Sequence, residues 1–136
     1  MYQEITLRQL EKPHDKKLPA DVLWVCDSFG LTSGRDLEQL SSRIFLDFLE
    51  KFSSELRVSS EALAEDLEIS PARVNHHLRN LMDSGIIYRE RRHILLRGGS
   101  LKGAVEEMRK DADRIFDELS DMAEEIDKNL GLKNRG

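Results

Sequence analysis

The segment between residues 58 and 96 constrains the fold of this 136-residue chain more than any other, because it holds two helix signals in close succession. The serine pair at 59–60 can cap a short helix, which breaks at residues 68–69. Ser70-Pro71 then opens a second helix, since serine is a preferred N-cap and proline suits the first helical position. Apolar residues at helical spacing follow it. They are Val74, Leu78, Leu81 and Met82.

A β-hairpin is predicted directly after the second helix. Gly85 can end that helix with a positive φ. The apolar runs 86–88 and 93–96 flank the charged residues 89–92, which predicts two short strands around a basic turn. Helix, turn, helix and hairpin in this order predict a mainly α chain with a small β-hairpin wing, the winged helix-turn-helix that binds DNA.

The same segment resembles the ArsR-like winged-helix transcriptional regulators, and more loosely the MarR-like ones. The matching residues are Leu63, Ala64, Leu67, Ile69, Ser70, Arg73, Val74, His77, Leu78, Leu81, Gly85, Ile86 and Ile87. The resemblance implies a regulator that binds double-stranded DNA. The metal-sensing role of that family is not carried over, because its sensors use cysteine pairs and this chain has one cysteine, Cys26.

The net charge of −5 hides a local excess of positive charge. Residues 71–97 contain six arginines and two acidic residues, a local charge of +4, whereas residues 1–70 and 98–136 carry −6 and −3. Local sign decides whether a surface can meet phosphates. No apolar run approaches the roughly 18 residues that a membrane span needs, and the start does not resemble a signal peptide. We therefore expect a cytoplasmic protein without a membrane partner.

The first 33 residues are predicted to form an arm and a short apolar helix. In residues 1–17, Ile5 and Leu7 alternate with polar neighbours and can form a short strand; the alternatives are a partly ordered arm or one that packs on a partner subunit or on DNA. Residues 18–33 are apolar enough to pack on the core or across a dimer interface. Cys26 is interpreted as a small buried hydrophobe, with redox or metal sensing as the alternative.

Residues 34–52 are predicted to form the first long helix, because their apolar residues recur with a period near 3.6. The stripe consists of Leu37, Leu40, Ile44, Phe45, Phe48, Leu49 and Phe52. Such a dense aromatic stripe is typical of a core. Residues 56–58 are expected to form a short strand that pairs with the wing.

The recognition helix is predicted over residues 71–84, with arginine, asparagine and histidine on its outward side. These side chains suit base edges and phosphates, and the N-terminal end of such a helix enters the major groove first. We expect base contacts from Arg73, Asn75 and His76, and backbone contacts from Ser70, Arg79, Asn80, Arg89, Arg91, Arg92 and His93. His77 can face either way. A metal site at residues 76–77 is disfavoured, because adjacent helical side chains point about 100° apart.

The wing turn can be an ordinary solvated hairpin tip, or it can contact phosphates or an adjacent minor groove. The second interpretation is favoured because the charge has one sign and lies beside the recognition helix.

The C-terminal helix, capped by Ser100 and ended by Gly131, carries a heptad pattern typical of a coiled coil. The seam consists of Leu101, Val105, Met108, Ala112, Ile115, Leu119, Met122 and Ile126. At about 1.5 Å per residue the helix extends roughly 45 Å, so dimerisation is favoured over folding back on its own domain.

Together these features predict three regions: an N-terminal arm and helix (1–33), a winged helix-turn-helix (34–97) and a dimerisation helix (98–136). The predicted function is a homodimeric transcriptional regulator that binds a pseudo-palindromic operator; the alternative is a protein-interaction module on the same scaffold without DNA binding. No cofactor or metal is expected, and an effector is left open. An enzyme is disfavoured, because the chain has no phosphate-cradling glycine loop, no HExxH and no nucleophile arrangement at catalytic spacing.

Overall fold

A computed structural model describes residues 2–32, 39–55 and 57–133. Within these ranges the chain folds into five α-helices and one antiparallel hairpin, in an order that matches a winged helix-turn-helix. The elements are α1 (Leu18–Ser28), α2 (Leu40–Glu55), α3 (Ser60–Leu67), α4 (Pro71–Ser84), β1 (Ile87–Glu90), β2 (His93–Leu96), a 3₁₀ turn (Arg97–Gly99) and α5 (Leu101–Leu130). The predicted fold class is confirmed.

Serine side chains cap the N-terminal ends of three helices. Ser59 Oγ accepts a hydrogen bond from the Ala62 amide (3.1 Å) at the start of α3. The equivalent bonds are Arg73 N to Ser70 Oγ (3.2 Å) for α4 and Gly103 N to Ser100 Oγ (3.0 Å) for α5. Each cap satisfies an amide that has no partner inside its helix. Of the two serines proposed for α3, Ser59 is therefore the cap.

Gly85 ends α4 with a φ of 92°, a conformation that side chains with a Cβ rarely adopt. Space is restricted there as well: a Cβ at this position would lie 2.6 Å from Gln3 Nε2 and 3.0 Å from a guanidinium nitrogen of Arg97. The glycine therefore allows both the turn into β1 and the close approach of the N-terminal arm.

The first long helix differs from its predicted bounds of 34–52. Gln39 has a left-handed φ of 53°, so α2 begins only at Leu40; residues 33–38 lie outside the described residues. At the other end α2 continues to Glu55. In this last turn Ser53 and Ser54 donate side-chain hydrogen bonds to the carbonyls of Glu50 (2.7 Å) and Lys51 (3.1 Å). The predicted C-terminal end of α2 at residue 52 was wrong by about one turn, because the polar residues that follow continue the helix.

The wing is a two-stranded hairpin with a third contact from the chain before α3. Ile87 pairs with Leu96 and Glu90 with His93, leaving a two-residue turn at residues 91–92. Arg89 and Glu90 therefore lie in β1 and not in the turn. Val58 forms an antiparallel bridge with Ile94, whose amide donates to the Val58 carbonyl at 2.7 Å. The predicted pairing of this segment with the wing is confirmed at Val58; Leu56 lies outside the described residues.

One apolar core joins α1, α2, α4, the hairpin and the first turns of α5. Its largest fully buried members include Phe45, Phe48, Leu81, Ile94 and Met108. Aromatic rings of α2 stack along one face, with the ring centroids of Phe45 and Phe48 6.1 Å apart. The aromatic stripe is thus a core, as its density predicted, and it supports the inner side of α4.

The N-terminal arm is extended and forms no strand, so of the alternatives that the sequence left open the short strand around Ile5 and Leu7 is not the one observed. Its amides cap helix ends instead of pairing with a strand: Glu4 N donates to Asp83 O (3.0 Å) and Arg8 N to Ser28 O (2.8 Å). The last carbonyls of a helix lack partners within that helix. The arm thus satisfies the C-terminal ends of both α1 and α4.

The helix α5 has an inner half that packs on the core and an outer half that does not. Ala104 and Met108 are buried, whereas every residue from Asp113 to Leu130 is exposed. Within the described ranges no helix is long and apolar enough to cross a membrane.

Candidate nucleic-acid interface

The recognition helix α4 presents its polar residues outward and its apolar residues to the core. Arg73, His76, Arg79 and Asn80 are exposed, and Asn75 is half-buried. At about 100° per residue, Arg73 and Asn75 lie roughly 160° apart around the helix axis. The three residues predicted to contact bases therefore do not form one row: Arg73 lies on one flank, Asn75 on the other, and His76 between them.

His77 faces inward. Its Nδ1 lies 2.6 Å from the hydroxyl of Ser41 on α2, and the side chain is half-buried. The contact with Ser41 shows which way His77 faces, which the sequence had left open. His76 and His77 contact each other edge to face with ring centroids 5.4 Å apart, yet one ring packs towards α2 while the other remains exposed.

The wing presents arginines from a short, fully paired hairpin. Arg89, Arg91 and Arg92 are exposed, and His93 is half-buried. Arg91 has a φ of 57°, which a two-residue hairpin turn commonly requires and which glycine or asparagine usually supplies. Among the described residues, no ion pair involves Arg79, Arg91 or Arg92, whose charges are thus directed at solvent.

A direct hydrogen bond joins the wing to the recognition helix. Arg89 on β1 donates from a terminal guanidinium nitrogen to Asn75 Oδ1 at 3.4 Å. The contact follows from strand geometry: Ile87 and Arg89 share one face of β1, and Ile87 is buried against the core beside α4. Helix and wing therefore form one continuous polar surface at this point.

Arg57 extends the basic surface and was not predicted as a site residue. It lines a recess of about 450 Å³ together with residues of the wing tip and of both wing strands. Those residues are Glu90, Arg91, Arg92, His93 and Leu95. The available signal was its position next to Val58, because the predicted pairing with the wing already placed Arg57 beside it.

Arg97 is the arginine of the basic segment that does not belong to this surface. It donates to both carboxylate oxygens of Asp111 on α5, with a distance of 3.0 Å to Oδ1. Gln3 (2.7 Å) and Arg114 also donate to this carboxylate, which is only 2% exposed. Arg97 first, then Gln3 and Arg114, hold the pKa of Asp111 well below its usual range, although burial opposes them. The cluster ties the arm, the wing and α5 together.

Cys26 is fully buried among the core residues of α1, which agrees with its interpretation as a small hydrophobe. A recess of about 430 Å³ lies between the arm and α1. Its lining residues are Lys12, Pro13, Lys16, Asp21, Trp24 and Val25.

Comparison with known proteins supports the assignment of a DNA-binding helix-turn-helix. Residues 46–89, from the middle of α2 to β1, match the family model of the bacterial regulatory protein, arsR family. Searches of curated proteins and of solved structures found no match. The matched segment contains α3 and α4, the two helices of the helix-turn-helix. The match supports a DNA-binding transcription regulator.

Proposed function

We propose that this chain is a sequence-specific transcriptional regulator that binds double-stranded DNA as a homodimer on a pseudo-palindromic operator. The observation that carries the proposal is the set of exposed arginines Arg79, Arg91 and Arg92 on α4 and the wing, which form no ion pair with any of the described residues. They stand on a chain whose overall charge is negative. Phosphate attraction depends on such local positive charge, and it supplies most of non-specific DNA affinity.

The recognition helix provides the base contacts in this proposal. Its N-terminal turns enter the major groove first, which directs His76 at the base edges and lets Arg73 and Asn75 reach bases from its two flanks. Residues nearer the rim contact the sugar–phosphate backbone. They are Ser70, Arg79 and Asn80 on and before α4, Arg89, Arg91, Arg92 and His93 on the wing, and Arg57 beside it.

The outer half of α5 is the proposed dimerisation surface. Ile115, Leu119, Met122 and Ile126 of the heptad seam are exposed, and Phe116 and Leu130 widen the stripe. Large contiguous apolar surfaces of this kind mark interaction sites on soluble proteins. The inner heptad residues contribute less, since Met108 is buried and Leu101, Val105 and Ala112 are half-buried within the protomer. The partner surface therefore begins at Ile115.

A twofold dimer explains why one chain carries both surfaces. A single winged helix-turn-helix domain contacts few base pairs. Two such domains related by a twofold axis contact half-sites about 34 Å apart, one turn of DNA. Because Asp111 on α5 is paired with Arg97, directly after β2 of the wing, the angle of α5 sets where each DNA-binding domain lies. A ligand that changed the angle between the two α5 helices would change the distance between the two DNA-binding domains, so that they no longer fit both half-sites and DNA is released.

Removing the two charges at the wing tip tests the phosphate contacts. We expect Arg91→Gly combined with Arg92→Ala to weaken binding to all duplexes and to lower the slope of log K against log salt by about 1.8, since each phosphate contact contributes about 0.9. Glycine is chosen because it favours the left-handed φ of Arg91, so the hairpin is retained.

The matched control removes two positive charges from exposed positions on α5, through Arg109→Ala and Lys110→Ala. Both variants are titrated against a random duplex by fluorescence anisotropy at several salt concentrations. The control should keep the wild-type slope. Equal slopes for the wing variant and the wild type would show that the wing does not contact DNA.

A further inference from the structure

Asn75 is a candidate base-contacting residue whose side chain is engaged by the wing. It is half-buried, whereas Arg73 and His76 are exposed. Its Oδ1 accepts a hydrogen bond from the guanidinium of Arg89 at 3.4 Å. Arg89 is held in place by the hairpin, where it pairs with Ile94, and Ile94 in turn bridges to Val58. The partner of the amide oxygen is therefore fixed by the sheet and not by a mobile loop.

This contact changes which bases the asparagine suits. Asparagine binds adenine in bidentate fashion by accepting from the N6 amino group through Oδ1 and donating to N7 through Nδ2. Here a cation already occupies one side of Oδ1, and a base amino group approaching the same oxygen would meet the guanidinium. The amide is turned so that its Nδ2 hydrogens face away from Arg89, because the two amide atoms lie on opposite sides of the group.

We infer that Arg89 and Asn75 form a donor-only pair that prefers guanine, with Arg89 as the residue that sets the specificity of Asn75. The pair presents the Nδ2 hydrogens of Asn75 to the base, whereas its amide oxygen is already bonded to Arg89 and is not a free acceptor of equal strength. Guanine offers two acceptors, O6 and N7, on its major-groove edge, whereas adenine offers one acceptor beside a donor. The inference rests on the proposed function and adds to it which base this position selects.

The test removes the guanidinium and keeps an unbranched side chain about as long as the aliphatic stem of arginine, through Arg89→Met. Selection from a random duplex pool, followed by sequencing, gives the base preference at each position of the site. Wild type is expected to prefer guanine at the position facing Asn75. In Arg89→Met the amide oxygen is released, so the guanine-to-adenine ratio at that position should fall at least about fivefold and adenine should become preferred. Arg89→Lys, which retains a charged donor, should keep the guanine preference.

Two further variants separate this role from general effects. Arg92→Met removes the same charge from the same hairpin and should lower overall affinity without changing any base preference. Adding Asn75→Ala to Arg89→Met should abolish the new adenine preference, because it removes the side chain that makes the bidentate contact. The combination supports the inference only if adenine selection depends on Asn75.

The outcomes distinguish the inference from the proposed function. If Arg89→Met loses the guanine preference without gaining adenine, Arg89 contacts the base itself and the positioning role is overturned. If the preference is unchanged, the pair does not face the base and the inference is overturned while DNA binding stands. A wild-type protein that retains no duplex at low salt overturns the proposed function and the inference with it.

Discussion

Replacing Leu119 and Met122 on α5 by lysine is expected to produce a monomer whose affinity for a palindromic duplex is about 100-fold or more below that of the wild type. Both side chains are exposed in the single chain, at 58% and 57%, so the change does not disturb the core of the protomer. Charges at the centre of an apolar seam would instead be buried in a dimer without partners. Loss of the second DNA-binding domain then removes the avidity that comes from joining two domains, typically a factor of 10² to 10⁴.

The control for this variant carries the same charge change on the opposite side of the same helix. Asp117→Asn with Asp121→Asn also raises the charge by two units, at exposed positions that lie roughly opposite the apolar stripe. Sedimentation should show a dimer for the control and a monomer for the lysine variant at micromolar concentration, with equal helical content. If the lysine variant sediments as the wild type does, the stripe on α5 is not the dimer interface.

Replacing Asp111 by alanine is expected to lower the free energy of unfolding by about 3–5 kcal/mol, because it leaves a partly buried cation without its partner. Arg97 is only 28% exposed, and Asp111 is its main acceptor. The same change also removes the acceptor of Gln3. Such a loss is a large part of the 5–15 kcal/mol that usually stabilises a domain. Urea denaturation measures it; Asp113→Ala, an exposed acidic neighbour, should cost less than about 0.5 kcal/mol.

The same carboxylate gives a pH dependence with a definite sign. The pKa of Asp111 in the folded chain lies well below its usual range, whereas an unfolded aspartate titrates near 3.9. Below about pH 4 the unfolded chain therefore binds more protons than the folded chain, and stability falls as the pH falls. Above that pH the full contribution is present. Asp111→Asn should flatten this acid limb of the stability profile; an unchanged limb would show that Asp111 is not its source.

Most of the fold could be predicted because local signals and the apolar pattern agree. The serine caps, Pro71 and Gly85 place α3 and α4 correctly, and the short apolar runs place the wing. The start of α2 could not be predicted, since the apolar stripe continues through Leu37 while Gln39 takes a left-handed φ. The conformation of the arm was left open, because an alternating pattern does not show whether a neighbouring strand exists to pair with it.

The candidate site was predictable in composition but not in arrangement. Residue types identified the basic surface. A count of arginines does not show, however, that Arg97 forms an ion pair with Asp111 or that Arg89 contacts Asn75. Both contacts join residues 14 positions apart in sequence, and each depends on how the hairpin packs against a helix. His77 belongs to the same class: helical spacing left its direction open, and the contact with Ser41 decides it.

The most direct test of the proposed function is a titration of the wild-type protein with a pool of random duplexes at two salt concentrations, followed by sequencing of the retained DNA. We expect binding to fall steeply as salt rises, because several arginines on α4 and the wing displace counterions from phosphates. We also expect enrichment of a pseudo-palindrome whose half-sites lie one helical turn apart. Retention of no duplex even at low salt would contradict the proposal and would favour a protein-interaction module on the same scaffold.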